Sequence, residues 1–226
     1  MSSAIAVELS PRDKILDAAE HLFARRGFAG VGLSEVAEAC GLGKSSLFHH
    51  FKSKVDLYAA VVGRILDQID ARMTRALAAG GDPLARIDRW LDTLIDFLGE
   101  NPSHSRLLLR SLFEDDDLTG TSEEEQRVDA ITRRIFAAAE QLLREGMAAG
   151  QLRAANIGHT LQSLIGLTVF HFASGQLGED LLGRSLFSPA EIRRRKQEIK
   201  ALLRHGLAAT APKKRRSPRH DQEDSL

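Results

Sequence analysis

Between Ala39 and Val55 the chain carries Lys44, His49, His50, Lys52 and Lys54 and not one Asp or Glu. The whole sequence balances 31 Lys and Arg against 31 Asp and Glu, for a formal net charge of zero. A neutral chain is not a blanket binder of polyanions, so the local pattern matters more than the total. Other chemistries find less support. His49 and His50 are adjacent, and neighbours on a helix point about 100° apart, so they do not share a metal ion. Cys40 is the only cysteine, which rules out an intrachain disulfide and a Cys-based zinc set and suits a reducing cytoplasm. It reads as a small hydrophobe in a core rather than as a redox sensor. There is no Gly-rich phosphate loop, no nucleophile elbow and no His-Glu-x-x-His pair, so no catalytic residue, metal site or cofactor is assigned.

The elements that must position the acid-free run are helices. Ser10 is a candidate N-cap, Pro11 suits the first helical position and Asp13 stands where a capping partner would. Ile15, Leu16, Ala19, Leu22 and Phe23 then form a helical stripe that Gly27 ends. A short helix from Leu33 to Cys40, a turn at Gly41-Leu42-Gly43 and a second short helix from Lys44 to Phe51 follow. Ser53, with Asp56 three residues on, opens a long helix to about Ala79, which Gly80, Gly81 and Pro83 stop. Further helices are predicted from Leu84 to Gly99, His104 to Phe113, Ser122 to Ala149, Asn156 to Ala173 and Pro189 to Ala208. Residues 174–188 read as a Gly-rich loop with at most a short turn at Asp180 to Leu182, and Glu114 to Asp117 as a solvated acidic loop. The fold class is all-α, with about nine helices and no alternating strand pattern. Residues 10–70 form an N-terminal domain with a helix-turn-helix at 32–51, residues 71–210 a larger helical domain, and 211–226 a disordered basic tail containing Lys213, Lys214, Arg215 and Arg216. No apolar run reaches the ~20 residues a membrane span needs.

Two helices of about two turns are not stable alone and need a third to pack on. The Ser10 to Arg26 helix supplies it. Ala37 and Gly41 are small where two helices cross steeply, and Val36, Leu42, Leu47 and Phe51 fill the shared core. Leu47 and Phe51, four apart, share one face. Lys44, Ser45, Phe48 and His49 are then left for the outside. A short, basic, acid-free helical face is what entry into a DNA major groove requires.

The stretch Leu33-Ser-Glu-Val-Ala-Glu-Ala-Cys-Gly-Leu-Gly-Lys-Ser-Ser-Leu-Phe-His-His-Phe-Lys-Ser-Lys54, preceded by Gly27-Phe28, resembles the tetracycline-repressor family over roughly residues 10–70. The resemblance implies a transcription regulator that binds double-stranded operator DNA as a homodimer. It places Lys44 at the start of the recognition helix, within reach of base edges such as guanine, with Ser45 beside it. Ser46 and His50 would bond phosphates, His49 bases or backbone, and Lys54 a phosphate at the next helix N-terminus. Gly32 and Gly43 replace the family's frequent Thr or Ser caps, Phe48 its frequent Tyr and Ser45 its frequent Gly. The family pattern also implies a C-terminal domain that binds a small effector and dimerises through its last two helices, here Asn156 to Ala173 and Pro189 to Ala208. The regulator is then a repressor released by its effector. An activator, or a regulator with no effector, is the alternative, and a helical enzyme a distant one. The middle helices are rich in Leu, Ile and Phe, so the effector is expected to be largely apolar. Trp90, Phe97, Arg110, Phe113, Phe136, Phe170 and His171 are the pocket candidates, each with a competing reading as plain core or salt-bridged surface.

Overall fold

The computed structural model describes residues 10–112 and 121–207. Among them the regular elements are ten helices: α1 Pro11–Arg26, α2 Leu33–Ala39, α3 Lys44–His50, α4 Lys54–Ala78, α5 Pro83–Glu100, α6 Pro102–Ser111, α7 Glu123–Ala148, α8, α9 Gln176–Leu182 and α10 Pro189–Leu207. Helix α8 begins as Ile157–Ile165, widens into a π turn over Gly166–Phe170 and closes with His171–Ala173. Phe113, the acidic run Glu114 to Asp117 and the basic tail lie outside the described residues.

The helix starts follow their capping chemistry. The Ser10 side chain accepts the Asp13 N–H at 3.1 Å, and Ser53 accepts that of Asp56 at 3.0 Å. Ser122 and Glu125 form a reciprocal capping box that opens α7. Gly32 and Gly43 give α2 and α3 no side-chain cap, so packing must hold both. It does so through Leu47, Phe51, Val36 and Ala37, which are buried in one core cluster with Ile15, Leu16, Ala19 and Phe23 of α1. Burying each large apolar side chain contributes about 1.5–3 kcal/mol. The turn between α2 and α3 needs a positive φ, which Gly41 supplies at 69°.

Helix α4 is the spine. Its residues Leu57 to Gly63 are all buried, because α1 packs on its first turns while α5 and α7 pack along its length. Helix α6 rests on α1, and α10 lies along α5. There a ladder forms, with Lys196 on Asp96 at 2.5 Å, Lys200 on Asp92 at 2.8 Å and Arg204 on Asp88. Partners four residues apart on both helices fix the register of an antiparallel pair. Each bridge is part-exposed and contributes little alone.

Two expectations are corrected. Gln176–Leu182 is helical, not a loop with a turn. Its glycines mark boundaries and close packing instead. Gly175 (φ 56°) and Gly183 (φ 67°) flank the helix, and a Cβ on Gly178 would lie 2.3 Å from Ser174 Oγ and 2.9 Å from Leu186. The stretch from Asn156 to Ala173 is not one regular α-helix, because its ladder slips into the π turn at Gly166. Thr168 Oγ1 donates to Leu164 O at 2.7 Å and Arg195 reaches Leu167 O at 2.5 Å, which serve carbonyls along this turn.

Candidate nucleic-acid interface and ligand cavity

Helix α3 turns Leu47 into the core and leaves Lys44, Ser45, Phe48 and His49 exposed, with Ser46 and His50 half-buried beside them. Among the described residues no carboxylate pairs with Lys44. The His49 and His50 rings sit edge to face at 5.4 Å. Lys54, the first residue of α4, lies with its Nζ 4.3 Å from the centre of the Phe28 ring. That cation–π contact holds the ammonium at the surface of the three-helix head. All seven candidate DNA contacts thus lie on α3 and the first turn of α4.

Phe28 belongs to an aromatic cluster that sequence reasoning missed. Tyr58 of α4, with 0% exposure, meets Phe23 edge to face at 5.0 Å and Phe28 at 5.3 Å. It is the only tyrosine in the chain, and its spacing from Phe23 and Phe28 in sequence gives no hint of the contact.

A second junction ties α1 to the larger domain. Glu20 Oε1 accepts from Ser103 Oγ at 2.8 Å and lies 3.1 Å from His104 Nε2, while Arg64 Nη2 donates to Glu20 Oε2 at 2.8 Å. Burial alone would raise the Glu20 carboxyl, but the bonds from His104, Ser103 and Arg64 outweigh it and hold it at about 2. Depressed below its unfolded value near 4.5, this group contributes stability that is full above about pH 4.5 and is lost as pH falls toward about 2. Glu20→Gln is therefore expected to lower the urea midpoint at pH 7, with a deficit on the order of 2 kcal/mol that shrinks steadily between pH 4.5 and 2.5. A deficit unchanged across that range would show that the carboxylate charge contributes nothing. A third link is Arg12, whose guanidinium stands 5.2 Å from the Phe51 ring centre and pairs with Glu124 of α7 at 2.7 Å.

Between α4, α5, α6, α7 and α8 lies a cavity of about 640 Å³. Its wall is mainly apolar, with Val62, Leu66 and Met73 from α4 and Leu94, Ile135 and Val169 from the others. Of the pocket candidates, Trp90 and Phe136 line it. Phe97 does not, because it is buried between α5 and α6, 5.0 Å from the His104 ring and 5.0 Å from the Arg72 guanidinium. Arg110 is on α6 but is not among the lining residues. Phe170, 52% exposed, ends the π turn and His171 follows it, and neither is among the lining residues, which here are Thr168 and Val169. Burial pushes His171 down to about 4, helped by the nearby charge of Arg195. Tyr58 and Ala59 are also among the lining residues, so Tyr58 belongs both to the cavity lining and, through its ring contacts with Phe23 and Phe28, to the core of the head.

Two family profiles match the chain: that of bacterial regulatory proteins of the tetR family over residues 15–61, and that of the tetracyclin repressor-like C-terminal domain over residues 83–202, more than half its length. The chain belongs to the tetR family. This is a family of transcription regulators rather than enzymes. Among curated relatives, the HTH-type transcriptional activator FasR of Mycolicibacterium smegmatis is 32% identical over 108 residues, 48% of this chain and 48% of FasR. The HTH-type transcriptional repressor KstR of the same organism is 32% identical over 100 residues, 44% of this chain and 49% of KstR. The tetR-family chain thus spans about half the length of these relatives. AibR, solved in complex with isovaleryl coenzyme A and operator DNA, superimposes with a TM-score of 0.69 at 18% identity, covering 85% of this chain and 97% of AibR. That likeness supports the fold. No helix among the described residues is long and apolar enough to cross a membrane.

Proposed function

We propose that this tetR-family regulator is a repressor that grips operator DNA as a homodimer and is released by a small, largely apolar effector. The observation that carries this reading is Tyr58, which is a lining residue of the cavity and whose ring packs against Phe23 and Phe28 in the head. A ligand that displaces this ring, or tilts α4, moves the element that carries Lys54 and buttresses α3. Two heads must meet half-sites about 34–36 Å apart, so a small change in their spacing is enough to weaken binding. The coupling expected of such a device is about 1–3 kcal/mol.

Dimer contact is supported by the apolar side chains left outside on α8 to α10, namely Phe170, Leu177, Leu181 and Leu202. Lys44 and Ser45 are proposed to read bases, and Ser46, His49, His50 and Lys54 to hold the backbone, with Phe48 packing against it. Phosphate contacts fix position without reading sequence. His50→Ala is therefore expected to weaken cognate and random DNA by the same factor. Fluorescence anisotropy on both duplexes reads this. A loss confined to the cognate duplex would reassign His50 to base recognition.

The test of the whole reading is a titration of the protein against its own promoter DNA, with random competitor and varied salt. Palindrome-specific binding by two protomers, reversed by a ligand that fills the cavity, is the expected result. Tighter DNA binding with ligand would make the protein an activator or a ligand-dependent repressor. Specific binding that no cavity ligand alters would remove the effector from the scheme.

A further inference from the structure

The polar groups on the cavity wall are almost all acceptors. Three Ser and Thr hydroxyls line it, and each spends its single proton on its own helix. Ser111 Oγ donates to Leu108 O at 2.9 Å, Thr132 Oγ1 to Val128 O at 2.8 Å and Thr168 Oγ1 to Leu164 O at 2.7 Å. A hydroxyl so engaged offers a ligand only lone pairs. The two charged groups on the wall are carboxylates, Glu125 and Asp129. Glu125 is 5% exposed and sits in the first turn of α7. Its Oε2 accepts the Ser122 N–H at 2.9 Å, and the helix N-terminus favours its negative charge. Asp129, one turn further along α7, is exposed at the rim. Among the described lining residues there is no Lys, Arg or His, and the Trp90 indole is a neutral donor.

From this inventory we infer that the cavity takes a lipophilic amine, an apolar body with a protonated nitrogen head, and discriminates against carboxylate and phosphate heads. The inference rests on the cavity being the effector site. An ammonium entering here exchanges its water for charge-assisted bonds to Glu125 or Asp129 and to hydroxyl lone pairs. A carboxylate loses its water, meets two like charges and finds no cationic donor. An uncharged alcohol of the same length donates one bond without the charge and falls between them.

Trp90 is the only tryptophan in the chain and is on the wall, so its fluorescence reports occupancy directly. The experiment titrates the full protein at pH 7 with decylamine, decanol and decanoate below the concentrations at which they aggregate. Affinity is expected to fall in that order, with decylamine at least about tenfold tighter than decanoate. Glu125→Gln keeps a residue that can complete the capping box, and Asp129→Asn changes an exposed position. The two together are expected to bring decylamine down to the affinity of decanol, with melting curves confirming the fold. Decanoate binding as tightly as decylamine would overturn the amine preference and leave the effector site standing. A decylamine preference that survives both substitutions would overturn the assignment of the carboxylates. Failure of all three ligands to perturb Trp90 would overturn both the preference and the effector site.

Discussion

Tyr58→Ala is expected to destabilise the protein by about 3–5 kcal/mol, the range for deleting a large aromatic from a packed core. The ring is fully buried and contacts Phe23 and Phe28, and its loss leaves a void between the cavity and the head. Urea unfolding reads the stability loss as a lower midpoint with little change in slope. The second expected effect is functional: ligand that still perturbs Trp90 no longer alters operator affinity, because the wall that it pushes has lost its contact with the head. Tyr58→Phe keeps the ring and separates this effect from unfolding. It is expected to lose on the order of 1 kcal/mol with the hydroxyl and to retain the response to ligand. A Tyr58→Ala protein that folds, binds ligand and is released from DNA as the parent is would move the coupling to the Glu20 and Arg12 junctions.

Lys44→Ala is expected to weaken the cognate operator by about 1–3 kcal/mol, roughly 5- to 150-fold, while random DNA is held almost as before. The lysine is exposed at the first position of α3, and among the described residues no carboxylate pairs with it. Parallel titrations on cognate and scrambled duplexes at two salt concentrations decide the point. An equal loss on both, with a salt slope lower by about one, would assign Lys44 to a phosphate.

The head was largely legible in the chain because its signals are local. Caps such as Ser10 and Ser53, the stop at Gly27 and the turn at Gly41 each act within a few residues, and the Leu47–Phe51 spacing says which face of α3 is buried. Once that face is known, the exposed residues follow by helical geometry. Glycine counting misled at Gln176–Leu182, because a glycine that permits a turn and one that permits close packing look alike in a sequence. The π turn in α8 left no mark either, since its apolar stripe continues through the extra residue.

The cavity shows where sequence reading stops. Trp90 and Phe136 line it and Phe97 does not, though all three are large aromatics on apolar helix faces. Helical periodicity says that a side chain points inward, and it does not say which neighbour it meets there. Whether an inward side chain meets another helix or an empty space depends on how five helices are spaced around it. The hydroxyls of Ser111, Thr132 and Thr168 became acceptors only because each helix places a carbonyl within reach of the proton. The sequence by itself determined an all-helical chain with a short, basic, acid-free helix, because caps, periodicity and charge are properties of neighbours along the chain. Tertiary structure alone decided that Tyr58 spans head and cavity and that Glu20 meets His104 across 84 positions, because those contacts depend on packing between helices that are distant in sequence.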